Sequence, residues 1–302
     1  MLQLKPLVVN MSNLNGKQKC GYIAIVGPTN AGKSTLLNTI LGKKLSIVSR
    51  KIQTTRTRIQ AVLTKECSQL ILIDTPGIFN PKRFKDRSYI KEATLSLEHA
   101  DIIVYMLEAN KRFDKDAFMS LSKMTKNQRI LIIINKIDLV KKPDLLKLMD
   151  DIKDGINQND IYLLSALKND GVRVFLDGLI SKIPEKEWEL PANQATNISD
   201  KFLAEEFTRE KILNNVHKEI PYSVIIETEK WETKDDTEVR IHQNIYVNNS
   251  NHKKILLGKN GDKIKKISMQ ARQEIEKYLE KKIHLYLFIK QKKKNTASEF
   301  ME

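Results

Sequence analysis

Residues 27–34 carry glycine, lysine and serine at a spacing that could bind phosphate. They read GPTNAGKS and match the phosphate-loop pattern G-x-x-x-x-G-K-[ST]. In such a loop, backbone N–H groups point at the phosphates, the lysine reaches the β- and γ-phosphates, and the final hydroxyl ligates Mg²⁺. We therefore predict that this segment binds a nucleotide. The predicted contacts are Gly27, Asn30, Ala31, Gly32, Lys33, Ser34 and Thr35.

A second motif, DTPG at residues 74–77, follows an apolar run that is typical of a buried strand. Asp74 can hold a Mg²⁺-bound water there, as the acidic residue on that strand does in phosphate-loop NTPases. The backbone N–H of Gly77 can meet a γ-phosphate and so respond to its loss. We predict that Asp74, Thr75 and Gly77 all belong to the nucleotide site.

A third motif, NKID at residues 135–138, indicates which base is bound. A carboxylate can accept hydrogen bonds from both the N1–H and the 2-amino group of guanine. Adenine offers neither donor in that arrangement and would leave the carboxylate unpaired. Asp138 is therefore the predicted guanine-reading residue, and Asn135 and Lys136 are predicted to brace the loops and the base plane.

A fourth and weaker signal, Ser165-Ala166, follows the next predicted strand. The backbone N–H of Ala166 is the predicted donor to the guanine O6. All four motifs end predicted strands, and the carboxyl ends of parallel strands are where open α/β sheets bind ligands. Together, the four motifs predict a guanine nucleotide site for GTP and GDP.

Two threonines, Thr54 and Thr55, lie in a basic segment between the first two motifs. A threonine there is expected to complete the Mg²⁺ shell when GTP is bound, with Thr55 favoured and Thr54 as the alternative. GTP and Mg²⁺ are predicted to order residues 46–58 and 77–87, which hydrolysis then releases. The predicted metal ligands are Ser34, Thr55 and Asp74. The predicted catalytic residues are Lys33, Thr55 and Gly77.

Ile78 follows the DTPG motif, at the place where a glutamine orients the attacking water in Ras-type enzymes. An apolar side chain cannot do this, so intrinsic hydrolysis is predicted to be slow unless another group places the water. Asn30 in the phosphate loop could help to hold K⁺ near the phosphates and so add positive charge. The predicted cofactors are therefore Mg²⁺ and, by this hypothesis, K⁺.

Apolar runs and helical segments alternate along residues 21–183. The runs predicted as strands are 21–26, 59–64, 70–73, 102–107, 130–134 and 161–164. The second and third are close enough in sequence to form a hairpin. This alternation predicts an α/β domain with a mixed, mostly parallel six-stranded sheet. Residues 1–20 are predicted to be an N-terminal extension. Residues 184–199, which contain two prolines and several Asn, Ala and Thr residues, are predicted to be a linker.

The second predicted domain, residues 200–302, has the element order α-β-β-α-α-β and concentrates the positive charge. The chain has a net charge of +15, and residues 253–294 contain 14 Lys or Arg against 4 Asp or Glu. A GKNG sequence lies between two predicted helices there, and such G-x-x-G loops clamp single-stranded nucleic acid in KH modules. The predicted RNA contacts are Gly258, Lys259, Asn260, Gly261, Lys263 and Lys266.

The chain resembles the Era family of bacterial ribosome-assembly GTPases with a C-terminal KH domain. The most specific matches are SRKIQTTRTR at 49–58, the DTPG and NKID motifs, EIPYSV at 219–224 and GKNGDKIK at 258–265. The resemblance implies a Ras-like P-loop GTPase domain over residues 21–183, followed by an α+β type II KH domain over residues 200–302.

The same resemblance implies a cellular role and partners. The expected partners are the small-subunit ribosomal RNA, near its 3′ end, and the 30S subunit, whose assembly and rRNA maturation the family serves. We expect a monomer in the cytoplasm that associates loosely with the cytoplasmic face of the inner membrane. The phosphate loop departs modestly from the GRPNVGKS often found in the family.

Two other functions fit the same motifs. An RNA chaperone could hold GTP and hardly turn it over, and multiple-turnover phosphate release would separate it from an enzyme. A membrane-surface GTPase could instead bind anionic lipid through its basic face, which liposome flotation in competition with RNA would reveal. No apolar run approaches the roughly 18 residues that a membrane-spanning helix requires.

Overall fold

A computed structural model describes residues 17–45, 59–74, 97–125, 128–155, 160–192, 196, 199–216 and 224–291. Within them the chain forms two compact units whose boundary falls between residues 197 and 198. This boundary lies inside the segment that the sequence predicts as a linker. The first unit contains the described residues up to 196, and the second contains those from 199 onward.

The first unit is built on a sheet of parallel strands with one antiparallel edge. Its strands are β1 (Lys19–Val26), β2 (Ile59–Lys65), β3 (Ser68–Asp74), β4 (Ile102–Glu108), β5 (Arg129–Asn135) and β6 (Ile161–Leu164). Among the described residues this sheet has six strands, in the order β2-β3-β1-β4-β5-β6. Only the β2–β3 pair is antiparallel. The predicted hairpin and the mostly parallel sheet are thus confirmed.

The central strands β1, β4 and β5 lie in the core, and almost every residue in them is apolar and buried. Each fully buried Ile or Leu stabilises the fold by roughly 1.5–3 kcal/mol. The helices that the described residues of this unit form in full are α1 (Lys33–Leu41), α2 (Lys115–Met124), α3 (Lys142–Gly155) and α4 (Val172–Lys182). Helix α2 contacts the sheet through Phe118. Its ring packs edge-on against the ring of Tyr105 in β4, with the two centroids 5.5 Å apart.

Residues 184–192, the first part of the predicted linker, pack on the first unit instead. The buried side chain of Gln69 fastens them: its Nε2 donates to the Leu190 carbonyl at 2.7 Å, and its Oε1 accepts from the N–H groups of Glu189 and Leu190, each at 3.1 Å. The carboxylate of Glu189 also accepts from the Tyr22 hydroxyl, and this bond, with burial, raises the pKa of Tyr22 to about 12. The segment is held by hydrogen bonds that its composition does not reveal.

The N-terminal limit of the first unit also differs slightly from the prediction. Strand β1 begins at Lys19 rather than Gly21, because Lys19 and Cys20 pair with Ser68 and Gln69 of β3. The last two residues of the predicted extension therefore belong to the sheet.

The second unit follows the predicted order α-β-β-α-α-β. Its elements are α5 (Asp200–Asn215), β7 (Ile225–Asp235), β8 (Glu238–Val247), α6 (Ser250–Leu257), α7 (Asp262–Leu279) and β9 (Lys282–Gln291). β8 pairs antiparallel with β7 and parallel with β9. The core between sheet and helices includes Ile212, Ile226, Ile245, Val247, Leu256 and Ile267. This arrangement is the α+β domain that the sequence predicts.

Pairing and capping set several limits of the second unit. Strand β7 continues to Asp235 because it stays paired with β8 up to their connecting turn. Helices α5 and α6 begin where the side chains of Ser199 and Asn249 cap them. None of the described helices is both long and apolar enough to cross a membrane.

Candidate functional site

The phosphate loop connects β1 to α1 at the carboxyl edge of the sheet. Its backbone curls because three residues have positive φ angles: Gly27 at 144°, Asn30 at 68° and Gly32 at 101°. The N–H of Ala31 donates to the carbonyl of Pro28 at 3.3 Å within the same curl. A curled loop that leads into a helix N-terminus is suited to bind phosphate, because backbone N–H groups and the helix dipole favour an anion there.

The ammonium group of Lys33 is held by the loop that it is predicted to serve. Its Nζ donates to the carbonyl oxygens of Gly27 and Pro28, each at 3.0 Å. These are hydrogen bonds to neutral acceptors, whereas phosphate oxygens would form stronger, charge-assisted bonds. Lys33 is therefore positioned at the start of the loop with partners that a nucleotide can replace.

Asn135, the last residue of β5, links the phosphate loop to the loop after β6. Its side chain is only 2% exposed. The Nδ2 group donates to the Ala31 carbonyl at 2.7 Å, and the Oδ1 atom accepts from the N–H of Ala166 at 2.9 Å. Three of the predicted motifs therefore meet at this one buried amide. A buried amide left without partners costs about 1–3 kcal/mol. These bonds therefore favour this arrangement of the two loops over any that leaves the Asn135 amide unpaired.

The Ala166 N–H, the predicted donor to guanine O6, has a protein partner in this structure. It donates to Asn135, and Ala166 itself is 1% exposed. The backbone of Ser165 exchanges two hydrogen bonds with Asp170, at 3.0 and 3.1 Å, and so closes the turn that carries Ala166. A base can accept from Ala166 only if the N–H exchanges Asn135 for the base.

Lys136 and Asp138 follow β5 in a tight turn. Lys136 has a φ of 65°, and its Nζ donates to the Glu108 carboxylate at 2.6 Å. Asp138 lies in a 3₁₀ turn over Ile137–Leu139 and is exposed. A carboxylate that is open to solvent at the edge of the sheet is accessible to a nucleotide base.

Two residues near this site were not singled out from the sequence. Glu108 ends β4 directly opposite Asn135 of β5, which places its carboxylate within reach of Lys136. Thr39 of α1 donates through its hydroxyl to the Ala166 carbonyl at 2.8 Å. An acid at the end of an otherwise apolar strand was a visible signal for Glu108, whereas Thr39 had none.

The predicted metal ligands can be placed only in part. Ser34 lies in the first turn of α1, and the backbone of Asp74 ends β3, paired with Ile25 of β1. Both positions are at the carboxyl edge of the sheet, and hydroxyl and carboxylate oxygens are the ligands that Mg²⁺ prefers. The predicted site residues Thr54, Thr55, Thr75 and Gly77, with Ile78, lie outside the described residues, so their roles stay predictions.

In the second unit the G-x-x-G segment, residues 258–261, joins α6 to α7. Gly258, Asn260 and Gly261 all have positive φ angles, of 72°, 54° and 79°. A Cβ atom on Gly258 would lie 2.7 Å from the Cβ of Lys263, so the close approach of loop and helix requires glycine. The loop is therefore tightly turned and leaves little side-chain bulk along its backbone.

The lysines around this loop differ in exposure. Lys259 and Lys266 are exposed and Lys263 is half-buried. Ile267 lies in the core and Ile264 packs against it. An uncovered, positively charged loop at a helix N-terminus is suited to a phosphate backbone.

Comparison with known proteins finds the same two parts. Residues 22–136 match the family model described as 50S ribosome-binding GTPase, and residues 219–296 match a KH domain model. The chain is 41% identical over 273 residues to GTPase Era of Agrobacterium fabrum and, over the same length, to GTPase Era of Rhizobium meliloti. These alignments cover 90% of this chain and 86% and 87% of the two relatives.

Two solved Era structures match the chain with a TM-score of 0.82 and 34% identity, covering 92% of this chain and 95% of each of theirs. One is an Era variant from Aquifex aeolicus bound to GDP and AlF4⁻. The other is Era in complex with MgGDPNP and nucleotides 1506–1542 of 16S ribosomal RNA. Because the sequence identity extends over 90% of the chain and includes both units, the chain belongs to the Era family of GTPases.

Proposed function

We propose that this GTPase is a nucleotide-dependent switch that binds small-subunit ribosomal RNA near its 3′ end and acts in 30S subunit assembly and rRNA maturation. The observation that carries the proposal is that the same chain contains two candidate sites. One is a nucleotide site whose loops are joined by Asn135, and the other is a basic G-x-x-G loop. The Era structure in complex with MgGDPNP and 16S ribosomal RNA supports it, since that protein is similar to the chain throughout both units.

In the proposed reaction, water attacks the γ-phosphate of GTP, and GDP and phosphate leave. Lys33 exchanges its two loop carbonyls for phosphate oxygens and stabilises the charge that develops on them. Ser34, Thr55 and Asp74 are the residues proposed to hold Mg²⁺, which would neutralise the negative charge of the phosphates when bound. The N–H of Gly77 contacts the γ-phosphate and is released when that group leaves.

Guanine is proposed to be read by Asp138, through its N1–H and 2-amino donors. Lys136 lies beside the base, and the ion pair with Glu108 fixes the direction of its side chain. Asn135 holds the phosphate side and the base side of the site at a set distance, because it hydrogen-bonds to both loops. Ser165 and Ala166 complete the base pocket once the Ala166 N–H turns to the guanine O6.

Potassium is expected to accelerate hydrolysis several-fold relative to sodium at equal ionic strength. Asn30 is exposed in the phosphate loop at a φ of 68°, and its side-chain oxygen could help to hold K⁺ beside the phosphates. GTPase rates of the intact protein in each salt measure the effect. In Asn30→Gly, the left-handed backbone is retained without the side-chain oxygen, so this variant should lose the preference for K⁺. Equal wild-type rates in the two salts would refute the potassium hypothesis.

The proposed RNA site comprises Gly258, Lys259, Asn260, Gly261, Lys263 and Lys266. Glycines let the phosphate backbone approach the loop, and the lysines neutralise it. We propose residues 200–302 as the RNA-binding domain and residues 19–192 as the GTPase domain, which thus includes the start of β1 and the packed segment 184–192. The proposed molecule is a cytoplasmic monomer whose basic face permits loose association with the inner membrane.

RNA is expected to accelerate hydrolysis of GTP several-fold, because binding at the second unit should alter the nucleotide site of the first. The measurement is multiple-turnover phosphate release by the intact protein, with and without an RNA that matches the 3′ end of small-subunit ribosomal RNA. A scrambled RNA of equal length is the control.

The outcomes of this experiment separate the candidate functions. An RNA that binds tightly without changing the rate would contradict coupling between the two units and leave the second unit as an anchor. Undetectable turnover in both conditions would instead favour an RNA chaperone that only holds GTP. Flotation with anionic liposomes, lost on addition of RNA, would show that lipid and RNA compete for the same basic face.

A further inference from the structure

The sheet of the second unit has an outer face that its helices do not cover. Side chains alternate along a strand, so Ile241, Ile245 and other buried residues of β8 face the core, and the residues between them face outward. The outward residues of β8 pair across to β9: His242 lies opposite Tyr286, and Asn244 lies opposite Phe288. Histidine, tyrosine and phenylalanine therefore meet on this outer face.

The three rings form one cluster that remains accessible. The ring centroids of His242 and Tyr286 are 4.7 Å apart with planes at 33°, and those of His242 and Phe288 are 6.0 Å apart at 18°. Tyr286 and Phe288 are each 45% exposed, and because they share one face they form an apolar patch rather than isolated exposed residues. An exposed cluster of rings on a sheet is the arrangement on which RNA-recognition modules stack unpaired bases.

This cluster is separate from the G-x-x-G loop. The helices on either side of that loop pack into the core through Leu256 and Ile267, against Ile245 and Val247 of β8. The loop is thus tied to the inner side of the sheet, while the rings lie on the outer side. One RNA strand could use both surfaces only by passing around the edge of the sheet.

The charge around the rings is positive along β9. The described part of this segment, residues 281–291, contains three lysines and no Asp or Glu, and Lys282 and Lys290 lie on either side of the rings along β9. Neighbouring acids are already paired: Glu238 with Lys282 at 2.7 Å, and Glu229 with Lys290 at 3.6 Å. Accessible rings flanked by lysines that can exchange a surface carboxylate for a phosphate fit a ligand that offers both π-faces and phosphates, which is single-stranded RNA.

We propose that His242, Tyr286 and Phe288 form a second RNA contact on which unpaired bases stack, additional to the G-x-x-G loop. This inference rests on the proposed function, because it assumes that the second unit binds RNA. The rings supply stacking with little dependence on base identity, and the lysines of β9 hold the backbone. The loop and the rings therefore contribute to RNA affinity independently.

The test compares ring-removing and ring-keeping substitutions in the intact protein. Tyr286→Leu with Phe288→Leu keeps apolar, strand-compatible side chains and removes both π-faces, and it should weaken binding of a single-stranded RNA roughly 10- to 100-fold. Tyr286→Phe with Phe288→Tyr keeps both rings and should bind within about 2-fold of wild type. If the double variant does not fold, Tyr286→Leu and Phe288→Leu are tested singly. Each should lose less RNA affinity than the double variant.

A second readout separates stacking from charge. The leucine variants should leave the slope of log affinity against log salt unchanged, because they remove no phosphate contact, whereas Lys259→Ala should reduce it. An RNA that contains 2-aminopurine should lose its fluorescence change on binding to the leucine variant. Loss of affinity with an unchanged salt slope, and rescue by the ring-keeping pair, would establish the contact.

Failure of this inference is distinguishable from failure of the proposed function. If Lys259→Ala weakens RNA binding and the folded leucine variants bind like wild type, the ring contact is refuted and the G-x-x-G contact stands. If wild-type protein does not bind RNA at all, both are refuted. If the leucine and ring-keeping variants lose RNA affinity equally, the outer face of the sheet contributes through its shape. The proposed stacking of bases on the rings is then wrong.

Discussion

Replacement of Gly32 by alanine is expected to lower the affinity for GTP and GDP by on the order of 100-fold. Gly32 has a φ of 101°, a backbone conformation that side chains other than hydrogen disfavour. A Cβ atom there would lie 2.2 Å from Nδ2 of Asn135. That amide cannot retreat freely, because it is buried and bonded to Ala31 and Ala166.

Two costs combine at this position. A left-handed backbone costs an L-residue about 1–2 kcal/mol. Displacing Asn135 also loses hydrogen bonds that contribute roughly 0.5–1.5 kcal/mol each. If one of these bonds is lost, the combined cost is about 1.5–3.5 kcal/mol, which corresponds to a loss of roughly 10- to 300-fold when binding has to restore the loop. Titration with a fluorescent GDP analogue in the presence of Mg²⁺ measures it directly.

Gly42 offers a matched control for this substitution. It also has a left-handed backbone, with a φ of 64°, and lies at the other end of α1. A Cβ atom there has no heavy atom within 4 Å. Gly42→Ala should therefore cost stability through backbone strain while nucleotide affinity stays within about 3-fold of wild type. Equal losses of affinity in the two variants would show that strain in α1, rather than the collision with Asn135, is responsible.

Much of this architecture is predictable from the sequence because its signals are local. Each strand that ends in a motif is an apolar run. A short apolar run bounded by glycine and charged residues is typical of a buried strand and fits few other secondary structures. The phosphate loop is likewise recognisable, since Gly27 and Gly32 stand where the backbone must take positive φ angles. The hairpin of β2 and β3 follows from the short connection between two such runs.

The contacts that the sequence does not reveal join residues far apart in the chain. Gln69 holds the backbone of residues 189–190, some 120 positions away, so composition alone makes the segment resemble a linker. The pairing of Lys136 with Glu108 depends on the register of β4 against β5. The use of the Ala166 N–H by Asn135 depends on how deeply the asparagine is buried. The hydropathy pattern of the sequence identifies the strands and helices. These long-range contacts become visible only in the folded structure.

Substitution of Asp138 by asparagine is expected to reverse the base preference of the site. Guanine offers two donors, N1–H and the 2-amino group, to a carboxylate with two acceptor oxygens. Asparagine replaces one acceptor with an N–H₂ group that faces the 2-amino group of guanine, donor against donor. One charge-assisted bond is lost, the other becomes a weaker bond to a neutral oxygen, and the two facing donors are left unsatisfied. A total cost of about 4 kcal/mol predicts a fall in GTP affinity on the order of 10³-fold.

Xanthine carries an oxygen in place of the 2-amino group, so its pattern matches asparagine: N1–H donates to the side-chain oxygen and the xanthine oxygen accepts from the N–H₂ group. Asp138→Asn should therefore bind xanthosine triphosphate more tightly than GTP, while wild type prefers GTP. The structure makes this exchange possible, because Asp138 is exposed in a turn that Leu139 closes by donating its N–H to the Lys136 carbonyl at 3.0 Å. The side chain can change without disturbing that bond.

Competition of both triphosphates against a fluorescent GDP analogue distinguishes base reading from a general loss of charge. Asp144→Asn is the matched control, since Asp144 is an exposed carboxylate in the first turn of α3, six residues along the chain. It removes the same charge and should leave the preference for GTP unchanged. A loss of GTP binding in Asp138→Asn without any gain for xanthosine triphosphate would contradict a direct contact with the base. A reversed preference in that variant alone would assign guanine recognition to the Asp138 carboxylate. A general disturbance of the structure would weaken the binding of both triphosphates and would not make the site prefer xanthine over guanine.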